Sequence, residues 1–155
     1  MVYCANGCEE TDDDFLVETL VCEGCGEVIP FVFGPEQEAE VARLMEQGEH
    51  EEAIRLLTDL WLESTDLDVE DERSMVRTAE ALQQIFASGE HPRAHFEWLT
   101  WSVFDGNGVD EGVVQACIEI AKTAGDRAWM DDVICCIPSY HNRVGWTARI
   151  DRHFD

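Results

Sequence analysis

The sequence predicts a mainly α-helical protein with a small metal-stapled module of short β hairpins at its front. Three observations predict it: two close cysteine pairs near the N-terminus, a hydrophobic period that changes from strand-like to helical after Gly34-Pro35, and a Gly-Glu-His segment that recurs at an offset of 41 residues. The expected organisation is a cysteine module over 1–34, a helical-hairpin domain over 35–138 and a C-terminal tail over 139–155.

The cysteine pairs are Cys4-Ala-Asn-Gly-Cys8 and Cys22-Glu-Gly-Cys25, separated by 13 residues. A tetrahedral zinc takes four soft donors at about 2.3 Å, and two tight turns supply them when a hairpin brings the turns together. Gly7, Gly24 and Gly26 suit such turns, where a side chain would obstruct the approach of backbone amides to sulfur. Cys4, Cys8, Cys22 and Cys25 are therefore the expected ligands of one structural zinc per chain, with a redox dithiol or an iron centre as the alternatives. Four thiolates close the coordination sphere, and no His or Glu pair sits at metalloprotease spacing nearby, so hydrolytic zinc chemistry is not expected. The odd total of seven cysteines, four of them in close pairs, also argues for metal over a secreted disulfide framework.

Phe15 to Val21 reads as a strand entering the second turn, and Val28 to Phe33 as a strand leaving it. With Cys-Glu-Gly-Cys-Gly between them, this segment resembles a zinc ribbon, although the first pair has three intervening residues where that family has two. The resemblance implies that the ion staples a sheet too small to hold itself together.

Beyond Gly34-Pro35 six helices are expected, at about 36–47, 50–64, 70–87, 92–104, 109–124 and 127–136. Val41, Leu44 and Met45 mark the first, and Ala53, Ile54, Leu57, Leu60 and Trp61 the second, with Gly48 between them. Acidic residues from Asp66 to Glu72 are placed to cap the third. Gly48-Glu-His50 with Ala53 matches Gly89-Glu-His91 with Ala94, and a weaker third copy begins at Gly125-Asp126-Arg127. Around Gly48 and Ala53 the sequence resembles the turn of a tetratricopeptide repeat, but with Val41 and Leu60 where that family has small residues and with a longer repeat. What the resemblance implies is an array of antiparallel helical hairpins that binds a protein partner and has no enzymatic activity.

The net charge is -24, and it is unevenly placed. Through residue 72 there are 22 acidic and 2 basic side chains, a balance of -20, which leaves -4 for the remainder. Nine of the ten basic residues are arginine, a composition that resembles proteins of salt-adapted microbes. Adaptation to salt spreads acid over every exposed face, whereas the skew here equally suits recognition of a basic partner. So acidic a surface repels phosphate backbones, and direct nucleic-acid binding is not expected. No run of apolar residues is long enough to span a bilayer and no signal segment opens the chain, so a cytoplasmic protein is expected.

Other chemistry-bearing residues have plainer readings. His50 and His91 occupy equivalent turn positions and read as helix starts, and His95 as a packed or exposed helical residue. Phe96, Trp98, Leu99, Trp101 and Phe104 surround one short helix, which is either central to a bundle or an interaction surface. Cys135, Cys136 and His141, with His153, could form a second metal site, but adjacent cysteines seldom reach one ion. Cys117 falls on an apolar stripe. Asp105-Gly-Asn-Gly-Val-Asp-Glu111 lacks the full oxygen pattern of a calcium loop and reads as a turn. No phosphate loop, nucleophile elbow or catalytic triad is visible. The expected function is a non-enzymatic zinc-binding adaptor for an unidentified protein partner; the alternative is an acidic inhibitor, immunity protein or DNA mimic that blocks a basic nuclease or DNA-binding protein.

Overall fold

The computed structural model describes residues 4–8 and 19–155. Its elements are β1 (Leu20–Val21), β2 (Val28–Ile29), α1 (Pro35–Glu46), α2 (His50–Thr65), α3 (Glu72–Phe86), α4 (Pro92–Thr100), α5 (Glu111–Ala124), α6 (Met130–Cys135) and α7 (Arg143–Asp151). Single 3-10 turns cover Arg127–Trp129 and Ser139–His141. The protein is mainly helical, as expected, and the chain divides into two compact units, Met1–Ser88 and Gly89–Asp155.

In the first unit β1 and β2 form a two-stranded antiparallel sheet in which Leu20 opposes Ile29 and Val21 opposes Val28. The expected strand from Phe15 lies largely outside the described residues. The strand expected to continue to Phe33 stops at Ile29. Beyond it, Val32 donates its N–H to Asp71 Oδ2 at 2.8 Å and Phe33 donates to Ser74 Oγ at 2.9 Å. The start of α3 thus takes the amides that a longer strand would have paired. Asp71 is also the N-cap of α3, its Oδ1 accepting from the Ser74 amide at 3.0 Å, so the acidic run before this helix does cap it.

Helix α2 packs against α1 and more extensively against α3. Its inward residues Ala53 and Leu57 are fully buried, as is Leu82 of α3. Gly48 ends α1 in the left-handed region at φ +74°. The Gly48 amide donates to the Met45 carbonyl and the Glu49 amide to that of Leu44, the pair of bonds that closes a helix through a left-handed residue. Gly125 repeats this at the end of α5, with bonds from Gly125 to Lys122 and from Asp126 to Ala121. The first and third copies of the glycine segment therefore share a backbone reason.

The second unit encloses a cluster built from Phe96, Val103, Val114, Cys117, Ile118, Ala121, Met130, Val133, Ile137 and Ile150. Helix α4 ends at Thr100, short of the expected limit, because Phe104 pairs with Val109 in an isolated bridge. Asp105 Oδ1 closes the intervening turn by accepting from the amides of Asn107 and Gly108 at 2.9 and 3.1 Å. The stretch 139–155, expected as a tail, contains α7. Trp146, Ile150 and Phe154 pack it on the cluster, and their i, i+4, i+8 spacing is a helical signal. Among the described residues no helix is long and apolar enough to cross a membrane.

Candidate metal centre

Cys4 and Cys22 are buried, Cys8 is half-buried and Cys25 is exposed, and all four are free thiols. Their Sγ atoms lie within 4.8 Å of one another, and those of Cys4 and Cys25 are 3.4 Å apart. An ion about 2.3 Å from each of four tetrahedral sulfurs sets them roughly 3.8 Å apart. The four thiols are thus gathered to the scale of one ion, and the donor set fits a metal. A disulfide needs sulfurs at about 2.05 Å.

The second turn is held by the Cys22 amide on the Glu27 carbonyl at 2.8 Å and the Gly26 amide on the Cys22 carbonyl at 2.9 Å. The reason for Gly24 is proximity. A Cβ there would stand 3.1 Å from Cys8 Cβ and 3.2 Å from Cys8 Sγ, tight contacts that a larger residue could make only if Cys8 gave way by a few tenths of an ångström. Leu20, Ile29 and Phe31 pack with Cys4 and Cys22 into one buried cluster, with Cys8 against it. The sulfurs therefore rest on an apolar floor that the two strands supply.

Electrostatics divides the four thiols. The Glu27 amide, then the Asn6 side chain and the Cys4 thiol, hold the Cys25 thiol down at about 6. The amides of Cys25 and Gly24 lower Cys22, against the opposing effect of burial. Cys8 is pushed up to about 12 by the neighbouring thiols of Cys25 and Cys22 and by burial. Backbone N–H groups directed at sulfur favour the thiolate, the form that ligates metal. Asn6 is a contributor that the cysteine spacing did not reveal: its amide donates to Cys4 Sγ at 3.3 Å and its side chain to Cys25 Sγ at 3.6 Å.

The remaining sequence candidates are built into the fold in other ways. His50 is the first residue of α2 and His91 stands at the N-cap of α4. His95 stacks with Trp98 at 6.5 Å. Cys135 and Cys136 are exposed, and the Cys136 thiol donates to the Asp132 carbonyl at 3.2 Å. The His141 ring packs edge-on to Phe104 at 4.9 Å and against Tyr140 at 4.6 Å. Among the described residues no metal-scale donor group forms around Cys135, Cys136 and His141. Cys117 is fully buried, and burial pushes its thiol up to about 12. In the aromatic helix, Phe96 is fully buried, whereas Trp101 is 60% exposed. The Asp105 carboxyl is held low first by the Asn107 amide and then by that of Gly108, both donating to Oδ1 within the turn.

Comparison with known proteins finds no matching family model, no matching curated protein and no matching solved structure.

Proposed function

We propose that this chain is a non-enzymatic zinc-binding adaptor of the cytoplasm, in which Cys4, Cys8, Cys22 and Cys25 hold one structural zinc and the protein surface binds a protein partner. The observation that carries the reading is the all-sulfur character of the gathered site. Four thiolates leave a zinc ion no position for water or substrate, and the thiols stand on the apolar cluster of Leu20, Ile29 and Phe31. Four thiolates with no imidazole or carboxylate suit a structural tetrahedral zinc; an iron centre takes the same donor set, and metal analysis of the isolated protein distinguishes the two. The helices that follow are read as degenerate hairpins similar to tetratricopeptide repeats, with the glycine closures of Gly48 and Gly125 in support.

A second reading has its own support in the charge distribution. The first unit carries 23 acidic and 4 basic side chains, a balance of -19, and the second only -5. Carboxylates spread over a rigid surface steer toward basic clefts, and on this reading the protein inhibits a basic nuclease or DNA-binding protein.

Native mass spectrometry of the tagged protein isolated from its own host separates these readings. One zinc with a partner that is not strongly basic supports the adaptor. One zinc with a basic nuclease or DNA-binding protein supports the inhibitor. Metal-free protein with oxidised front cysteines overturns the zinc centre on which both rest.

A further inference from the structure

Within the first unit, a groove of about 420 Å³ lies between the β2 segment and the beginning of α1. Val28 and Ile29 line it from the strand, Pro30 and Phe31 from the segment that follows, and Pro35 and Glu36 from the helix. Val28 is 62% exposed, although it is an apolar residue in a strand. Among the described residues β2 pairs with β1 alone. The bond from the Cys22 amide to the Glu27 carbonyl makes those two residues a hydrogen-bonded pair. Alternation along an antiparallel ladder then makes Val21–Val28 a non-hydrogen-bonded pair, and the N–H and C=O of Val28 point away from β1. An extended peptide can add to such an edge, gaining main-chain hydrogen bonds while an adjoining pocket takes a side chain.

The charge around the groove selects the occupant. Among the described residues Glu36 is the only charged one lining it, Glu27 immediately precedes Val28, and the unit carries the -19 balance described above. Acidic or phosphorylated segments would be repelled, and a basic segment would be drawn in. Resting on the adaptor reading, we propose that this groove receives an extended segment of a partner protein that presents an apolar side chain between Lys or Arg flanks and pairs with the outward-facing main chain of Val28.

The metal centre enters through the floor. Ile29 and Phe31 belong to the same buried cluster as Cys4 and Cys22, so removing the ion loosens the groove as well as the turns. Docking is therefore metal-dependent.

The test pans the metal-loaded full-length protein against a display library of random heptapeptides and measures the affinities of enriched peptides by fluorescence anisotropy. The expected result is enrichment of apolar residues flanked by Lys or Arg. Binding should weaken about tenfold or more in Val28→Lys, since losing a buried valine contact costs over 1.4 kcal/mol, and should survive in Val28→Ile. Leu67→Lys, at a site 82% exposed in the same unit, controls for added charge. Metal content and far-ultraviolet circular dichroism establish that each variant folds. No enrichment, enrichment of acidic or uncharged peptides, or affinity unchanged in Val28→Lys would overturn the proposal. A host partner retained equally by wild type and Val28→Lys overturns the groove and leaves the adaptor standing. Basic peptides lost in Val28→Lys, with no partner in the host isolate, support the groove and remove the adaptor.

Discussion

Asp71 accepts the main-chain amide of Val32 at 2.8 Å, across 39 residues of sequence. The same carboxylate accepts from the Ser74 hydroxyl at 2.7 Å and caps α3 through the Ser74 amide at 3.0 Å. Asp71, Arg73 and Ser74 are all buried, and the Arg73 guanidinium lies 4.0 Å over the Phe31 ring. One carboxylate thus joins the segment leaving the cysteine turns to the helix it starts, and unpaired amides would remain if it were removed.

Asp71→Ala is expected to destabilise the first unit by about 2–4 kcal/mol, the loss of an N-cap together with that of buried hydrogen bonds. Urea unfolding followed by circular dichroism measures it. A loss below about 0.5 kcal/mol, typical of surface changes, would mean that this network does not hold the segment in place.

Replacing Cys22 or Cys25 with serine is expected to abolish stoichiometric metal binding and to disorder the front module while most of the helical signal remains. The helices have their own buried residues, among them Leu57 and Leu82. Metal analysis together with far-ultraviolet circular dichroism decides it, and wholesale loss of helix would contradict the expectation.

Met130→Ala opens a cavity beside Val133, Ile137 and Ile150, all fully buried in the second unit's cluster. The expected cost is about 2–5 kcal/mol. Thermal unfolding read by tryptophan fluorescence, to which Trp129 and Trp146 against that cluster contribute, should show a lowered midpoint.

Burial holds the His95 imidazole below its ordinary value. The unfolded chain therefore takes up this proton first, at about pH 6.5. Stability is intact above that value and declines as the pH falls through it toward the lower folded-state value. His95→Gln is expected to flatten the urea midpoint between about pH 7 and pH 5; an unchanged slope would show that His95 does not set it.

If the acidic surface serves recognition, affinity for the host partner falls steeply as salt rises from low to moderate concentration, because exposed charges are screened beyond about 10 Å at 0.1 M. Binding by isothermal titration calorimetry that persists in molar salt would instead assign the acid to solvation of the protein.

Much of this architecture is written in local sequence. Cys4, Cys8, Cys22 and Cys25 converge as their spacing predicts, and the stripe from Ala53 to Leu60 lies on one buried helix face, because a helical period and a tight turn are properties of a few adjacent residues. The seventh helix was not expected from the sequence, because Gly145 and the arginines Arg143, Arg149 and Arg152 interrupt its apolar positions Val144, Trp146, Ala148 and Ile150.

Other features depended on partners far away in the chain. β2 ends at Ile29, and the amides of Val32 and Phe33 beyond it go to Asp71 and Ser74, acceptors 39 and 41 residues away that the local sequence does not reveal. Gly24 looks like a turn glycine, yet its smallness also serves packing, because Cys8 stands 3.1 Å from where its Cβ would be. The sequence by itself determined the helices, their glycine closures and the four sulfur donors, since each follows from short-range periodicity, backbone freedom or ligand chemistry. Only the tertiary structure decided which amides the first turn of α3 would satisfy and where the two units divide, because those outcomes follow from hydrogen bonding and burial between segments that the sequence keeps far apart.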